Sequence, residues 1–115
     1  MSLKISTEKH SNCTEILLSG QPLSELDFEE LQDEVKGQVE EGNCNLILNL
    51  GGVKILNSLG INALIKVMTR CRNNGGDLYI VNISEKINQV LLLTKLNTVL
   101  NIASSVDEAV TSFQE

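Results

Sequence analysis

The sequence contains very few aromatic residues: two Phe, one Tyr and no Trp, which is 3% of 115 residues. Proteins that bind single-stranded nucleic acid stack the bases on aromatic side chains, and this chain has few to present. Positive charge is also scarce, with 9 Lys and Arg against 15 Asp and Glu and a formal net charge of −6. Binding to a phosphate backbone requires a basic surface. The composition therefore argues against nucleic acid as a partner.

Residues that build catalytic or metal centres are equally scarce. There is one histidine, His10, and the three cysteines, Cys13, Cys44 and Cys71, are widely spaced. We therefore expect no Ser–His or Cys–His pair that activates a nucleophile, and no zinc site. His10 is expected to be an exposed residue of a hairpin turn, and the cysteines to be small buried side chains in a reducing compartment. These absences predict a protein without catalytic residues, metal ligands or cofactors.

Long apolar runs and phosphate-binding glycine motifs are missing as well. No segment reaches the ~18 apolar residues of a membrane-spanning helix. The first residues, MSLKIS, lack the apolar core of a signal peptide, so a cytoplasmic protein without membrane insertion is expected. Neither a P-loop nor a GxGxxG motif occurs. Gly51-Gly52 is expected to turn the chain, and Gly75-Gly76 to stop a helix.

The sequence does contain an alternation of predicted strands and helices along the whole chain. Short apolar runs and period-2 patterns predict strands, whereas apolar residues three and four apart predict helices. Predicted strands cover residues 3–6, 13–20, 45–50, 77–82 and 100–103. Predicted helices follow the cap candidates Ser24, Asn57 or Ser58, Ser84, and Ser104 or Ser105. This order predicts an α/β fold for a single domain over residues 1–115.

The expected architecture is a four- to five-stranded mixed sheet with about four helices packed on it. The run NLILNL at residues 45–50 is bounded by turn residues, which is typical of a strand covered on both faces. Asp27 lies three residues after Ser24 and is expected to complete a capping box with it.

The segment Asn57-Ser58-Leu59-Gly60 lies where a buried apolar stretch ends and a helix begins. Ser58 is therefore a candidate N-cap or first-turn residue, and a purely structural role would account for it. A functional role is the alternative, because a helix N-terminus presents free backbone N–H groups and partial positive charge to a phosphate. Phosphorylation of Ser58 would add about two negative charges to the surface without disrupting the fold. The spacing alone leaves both roles open.

This segment and its flanks resemble the STAS family, specifically the bacterial anti-sigma factor antagonists. The run NLILNLGGVKILNSLGINALIKVMTRCRNNGGDLYIVNIS resembles the family's strand, loop ending in Asp-Ser-Ser/Thr-Gly, apolar helix, Gly-Gly and next strand. The segment TKLNTVLNIASSVDEAV resembles the family's ending, and Leu18-Ser19-Gly20 before the first helix resembles its beginning. The resemblance covers nearly the whole chain and implies a STAS fold.

The resemblance also implies a function, that of a binding protein rather than an enzyme. Ser58 matches the serine that a cognate kinase, itself the anti-sigma factor, phosphorylates. In the family pattern the unphosphorylated domain binds that kinase and frees a sigma factor, and the phosphorylated form lets go. The implied binding surface consists of Asn57, Ser58, Leu59, Asn62 and Lys66, with Gln21, Pro22, Leu23 and Ser24 alongside. The kinase brings ATP and Mg²⁺, a phosphatase is a further candidate partner, and a monomer or weak dimer is expected.

Three features depart from the family pattern. Asn57 replaces an acid, Leu59 replaces a Ser or Thr, and the loop at residues 20–23 replaces an acidic Gly-Glu-Leu-Asp segment and is one residue longer. One interpretation is a switch retuned to a less basic or more apolar partner. The alternative is a domain that has lost the switch and serves as a scaffold or adaptor, in a stress-signalling complex or beside a lipid-transport ATPase. In that case Ser58 is a plain helix cap.

Overall fold

Five strands form one mixed sheet in the computed structural model, which describes residues 3–21 and 24–113. The strands are β1 Lys4–Lys9, β2 Thr14–Ser19, β3 Asn45–Gly52, β4 Asp77–Val81 and β5 Asn101–Ile102. The helices are α1 Glu25–Glu40, α2 Ser58–Asn73, α3 Glu85–Leu93 and α4 Val106–Phe113, with a 3-10 turn at Leu96–Thr98. The sheet order is β1-β2-β3-β4-β5, with β1 antiparallel to β2 and the other pairs parallel. The predicted α/β fold with a mixed sheet is confirmed.

The helices begin at short polar side chains, as the sequence predicts. At the start of α1, Ser24 Oγ accepts a hydrogen bond from the Asp27 N–H at 3.3 Å, and Asp27 Oδ2 accepts one from the Ser24 N–H at 3.2 Å. The predicted capping box is therefore confirmed. Ser84 and Ser105 accept the equivalent bonds at the starts of α3 and α4. These contacts satisfy backbone donors that have no partner within the helix.

The central strand β3 is covered on both faces. Successive side chains of a strand point to opposite faces, and Leu46, Ile47 and Leu48 are each fully buried. Leu46 and Leu48 belong to the large core beneath α1, α2 and α3. Ile47 belongs to a second, smaller core together with Ala109 of α4. This confirms the prediction for residues 45–50. Helices α1, α2 and α3 lie on one side of the sheet, and α4 lies on the other.

The prediction of a turn at Gly51-Gly52 is wrong, because both residues continue β3. Gly52 is paired with Ser19, and its carbonyl accepts a hydrogen bond from the Gly20 N–H at 3.1 Å. A Cβ atom on Gly52 would lie 2.5 Å from Ser19 Cβ and 2.8 Å from the Leu18 carbonyl oxygen. The glycine thus permits a close approach of two strands. By contrast Gly75, at φ +86°, follows the end of α2 as predicted.

Strand β1 is longer than predicted and extends to Lys9. Five of its six side chains are exposed, so its sequence shows little apolar pattern. The strand forms because its backbone pairs with β2 residue by residue, from Lys4 opposite Ser19 to Lys9 opposite Thr14. Within the described ranges, no helix is both long and apolar enough to cross a lipid bilayer.

Candidate partner-binding site

Asn57, not Ser58, caps helix α2. The Asn57 side-chain oxygen accepts a hydrogen bond from the Gly60 N–H at 3.0 Å, and its carbonyl accepts one from the Ile61 N–H at 3.0 Å. Ser58 is the first residue of the helix and is exposed. Within the described part of the chain, the Ser58 hydroxyl has no hydrogen-bond partner. The sequence predicts Ser58 as either the N-cap or a first-turn residue of α2. In the structure it is a first-turn residue.

The first turn of α2 has no acidic side chain to offset its partial positive charge. The described first turns of α1, α3 and α4 each contain at least one Asp or Glu. At the other end of α2, Arg70 and Arg72 lie in the last turn, where positive charge complements the helix dipole. An anion attached at Ser58 would meet unsatisfied backbone N–H groups and would experience no repulsion from a carboxylate in its own turn.

The loop before α1 lies beside the loop before α2. The Gln21 side chain donates a hydrogen bond to the Ile55 carbonyl at 3.5 Å, and the Gly20 N–H bonds to β3. Gln21 thus contacts the loop before α2, whereas the side-chain contacts of Ser24 are with Asp27 at the start of α1. Pro22 and Leu23, which were predicted to be in the same surface, lie outside the described residues.

Leu59, Asn62 and Lys66 line one groove between α1 and α2, with a volume of about 230 Å³. The structure therefore brings these three predicted residues together. The α1 side of the groove contains Glu25 and Glu29, which the sequence predictions missed. Their acidity alone is typical of a solvated helix face. They can be assigned to the groove only once the packing of α1 on α2 is known.

Close packing holds the start of α2 against α1. A Cβ atom on Gly60 would lie 2.8 Å from Leu56 Cδ2 and 3.0 Å from Phe28 Cζ. Glycine at this position therefore lets the first turn of α2 approach the α1 side chains. Further along, the Gln32 side chain of α1 donates a hydrogen bond to the Ala63 carbonyl of α2 at 3.1 Å. The groove is thus held between two packed helices.

The surface around Ser58 is apolar at several points. Leu59 is 38% exposed, and Ile55 in the preceding loop is 42% exposed. Exposed apolar side chains next to a concave groove are typical of a site for protein docking. Leu59 and Ile55 offer apolar contact area, and the carboxylates of Glu25 and Glu29 offer hydrogen-bond acceptors.

His10 does not have the exposed position that the sequence predicts. Its ring is about three-quarters buried, and its Nε2 lies 2.9 Å from Oε1 of Glu15, whose side chain is 4% exposed. The β1–β2 hairpin brings the two residues together, since Glu15 is the second residue of β2. This cluster lies at the end of the sheet where β3 begins, whereas Ser58 follows the end of β3.

The three cysteines are free thiols. Cys13 and Cys71 are buried, as predicted, and Cys44 is half-buried. Burial, together with the neighbouring Cys44 and Asp77, raises the pKa of the Cys71 thiol to about 12. None of the three thiols lines the groove at Leu59.

The sequence profile of the STAS domain matches residues 4–109. The chain belongs to the STAS domain family. This STAS domain is 26% identical over 102 residues to the anti-sigma-B factor antagonist of Staphylococcus epidermidis, and the alignment covers 89% of this chain and 94% of the relative. The predicted resemblance to the anti-sigma factor antagonists is confirmed.

Solved structures share the fold. An anti-sigma factor antagonist from Mycobacterium paratuberculosis superposes with a TM-score of 0.85 at 19% identity, covering 99% of this chain and 96% of that one. The phosphorylated form of SpoIIAA, a Bacillus cell fate determinant, superposes with a TM-score of 0.71 at 18% identity, covering 95% of this chain and 98% of that one. The STAS architecture, with its mixed sheet and helices, is thus confirmed.

Proposed function

We propose that this STAS domain is a cytoplasmic anti-sigma factor antagonist that binds a serine kinase acting as the anti-sigma factor. Binding releases the sigma factor, and phosphorylation of Ser58 ends the binding. The observation that carries the proposal is the division of roles at the start of α2, where Asn57 caps the helix and Ser58 is exposed. Because the cap is a separate residue, modification of Ser58 removes no contact that holds the fold.

The phosphoryl transfer requires no cofactor of the chain itself. The kinase transfers the γ-phosphoryl group of its Mg²⁺-bound ATP to Ser58 Oγ, the hydroxyl proton passes to a base of the kinase, and ADP leaves. The new phosphate lies at the N-terminus of α2, where backbone N–H groups and the helix dipole stabilise it. A phosphatase that hydrolyses the Ser58 phosphate would complete the cycle.

The phosphate ends binding because of what surrounds it. Leu59 and Ile55 provide exposed apolar area beside Ser58. An apolar partner segment that covers them would have to desolvate about two new negative charges, which is costly. The relative named as an anti-sigma-B factor antagonist supports a role in sigma-factor control, and the phosphorylated form of SpoIIAA supports phosphorylation as the modification.

The departures at Asn57 and Leu59 are consistent with a retuned partner. Asn57 keeps the helix cap that an acid would provide but removes its charge, since Asn and Asp are comparable caps. Leu59 adds exposed apolar contact area next to Ser58. We infer a partner that presents an apolar segment to Leu59 and a donor or cation to the acidic α1 side of the groove.

A second candidate function is that of a constitutive scaffold or adaptor subunit. It is favoured by a separate exposed apolar surface at the end of α3, where Leu92, Leu93 and Val99 are 52%, 84% and 45% exposed. A permanent assembly would cover such side chains. Size-exclusion chromatography over a range of concentrations distinguishes the candidates. A stable oligomer favours the scaffold, and a monomer or weak dimer favours the switch.

The test of the switch is to incubate the protein with its candidate kinase and MgATP and to measure the intact mass. The wild type is expected to gain one phosphoryl group and Ser58→Ala none. Ser105→Ala is the matched control, because it removes another helix-start serine that serves as a cap. The site assignment fails if the wild type gains no phosphate, or if Ser58→Ala gains one.

A further inference from the structure

The β1–β2 hairpin contains a cluster of three metal-ligating side chains that the proposed switch does not use. The ligand atoms of Glu8, His10 and Glu15 all lie within 4.8 Å of one another. Glu8 and Glu15 are direct partners in the antiparallel ladder, so their side chains share one face of the sheet. His10 directly follows β1 in the turn and approaches Glu15 to 2.9 Å.

Two carboxylates in this arrangement need positive charge nearby. Like charges opposite each other on paired strands are destabilising. Glu15 is also 3% exposed, and a buried carboxylate is normally paired with a cation or bound to a metal. Among the residues of ranges 3–21 and 24–113, the ion-pair partner of Glu15 is His10. A protonated imidazole would balance one of the two carboxylates, whereas a divalent cation would balance both.

The Glu15 carboxylate is oriented by residues outside the cluster. Its Oε2 accepts a hydrogen bond from Asn49 Nδ2 at 2.8 Å. The Asn49 Oδ1 in turn accepts hydrogen bonds from the Gly51 N–H at 2.9 Å and from Asn82 Nδ2 at 3.2 Å. The amide of Asn49 is therefore held by two further contacts from β3 and the residue after β4. Such outer partners fix the direction of a ligating carboxylate and leave Oε1 turned toward His10.

We propose that Glu8, His10 and Glu15 bind one divalent transition-metal ion, for which zinc is the best fit. One imidazole nitrogen and two carboxylate oxygens are ligands that zinc accepts, and water would complete a tetrahedron. Zinc–ligand distances of about 2.0–2.2 Å place tetrahedral ligand atoms about 3.3–3.6 Å apart. The exposed Glu8 side chain can rotate to close the present spacing. His10 binds through the Nε2 lone pair, with its proton on Nδ1.

Through Glu8 of β1 and Glu15 of β2, the ion would connect the two strands in addition to their backbone hydrogen bonds. Strand β1 is an edge strand, paired with β2 alone. The ion therefore stabilises the hairpin, because metal binding to the folded state adds to the free energy of unfolding. The sequence prediction of no metal site considered cysteine and histidine spacings. It could not include Glu8 and Glu15, because their proximity depends on the hairpin register.

Calorimetric titration of the metal-free protein with ZnCl₂ tests the proposal. We expect one ion per chain, with binding at least about 10-fold weaker in His10→Ala and Glu8→Gln, because each removes a direct ligand and loss of an outer partner alone costs about 10- to 100-fold. Glu8 is exposed, so Glu8→Gln remains folded and a loss of binding in this variant is not a folding defect. Glu29→Gln and Cys44→Ser, which change another acid and a half-buried thiol, are expected to bind zinc as the wild type does.

A second measurement is the melting temperature at increasing zinc concentration. It should rise in the wild type and in the two controls, and in Glu8→Gln it should rise only at zinc concentrations at least about 10-fold higher. The proposal is overturned if the wild type binds no zinc, or if Glu8→Gln and His10→Ala bind it as tightly as the wild type. It is also overturned if Cys44→Ser abolishes binding, since the ion then resides at a thiol.

Discussion

The side-chain oxygen of Asn57 accepts a hydrogen bond from the Gly60 N–H at 3.0 Å, immediately before the exposed Ser58. The residue that caps helix α2 is therefore a different residue from the one proposed to be phosphorylated. A domain in which one residue had both roles would lose its cap on phosphorylation. Here the fold and the proposed signal depend on different side chains.

The first prediction compares the two residues by stability. Asn57→Ala should lower the free energy of unfolding by about 0.5–2 kcal/mol, because it removes the helix cap. Ser58→Ala should change it by less than about 0.5 kcal/mol, as expected for an exposed residue without a structural contact. Urea denaturation measures both, and Asn57→Asp serves as a control that retains the cap. Equal losses in the two alanine variants would contradict the assignment of the cap to Asn57.

The second prediction concerns negative charge at Ser58. Ser58→Glu should raise the free energy of unfolding by about 0.3–1 kcal/mol at low salt, because the new negative charge is attracted by the positive end of the helix dipole. Asn73→Glu is the matched control, since it adds the same charge at the last residue of α2 and should destabilise. Thermal melts at low and high salt measure both effects. A marked loss of stability in Ser58→Glu would mean that a phosphate at this position disrupts the fold.

The third prediction concerns the strand contact that the sequence did not reveal. Gly52→Ala should destabilise the domain by about 1–3 kcal/mol, because the new methyl group overlaps with the β2 backbone. Gly37→Ala in α1 has open space around the new methyl group and should stabilise by about 0.5–1 kcal/mol. Chemical denaturation of both variants checks the opposite signs. If Gly52→Ala is neutral, the close approach of β2 and β3 is wrong.

The fourth prediction is a loss of stability at alkaline pH that depends on Cys71. Its pKa is raised from 9.0 to about 12 in the folded protein, chiefly by burial. Above pH 9 the unfolded chain therefore releases a proton that the folded protein retains, so the free energy of unfolding falls as pH rises toward 12. Cys71→Ala should reduce this slope between pH 9 and 10.5, whatever its effect at neutral pH. An identical slope in the variant would show that Cys71 does not contribute.

The sequence predicted the features of the fold that depend on local interactions. Ser24 with Asp27 forms the expected capping box, and Gly75 ends α2, because each depends on residues three or four positions apart. The apolar run at residues 45–50 is the buried strand it was predicted to be. For Ser58, position at the helix start was predictable, whereas the assignment of the cap to Asn57 required side-chain geometry.

Features that depend on pairing between distant segments were not predicted. Gly51 and Gly52 have the composition of a turn, and only the ladder with Ser19 makes them strand. Glu15 has the charge of a surface residue, yet it is buried beside His10 because of the hairpin register. The acidic side of the groove at Leu59 likewise results from the packing of α1 against α2.

The central claim is that Ser58 controls partner binding from a surface that includes Leu59. Its most direct test is the affinity of the purified kinase for the wild type, Ser58→Glu and Leu59→Ser, with Leu92→Ser as the control at a different exposed leucine. We expect binding at least about 10-fold weaker in Ser58→Glu and Leu59→Ser, equivalent to about 1.4 kcal/mol, with no decrease in the melting temperature of Ser58→Glu. The control should bind as the wild type does. Equal affinity of the wild type and Ser58→Glu would contradict the account.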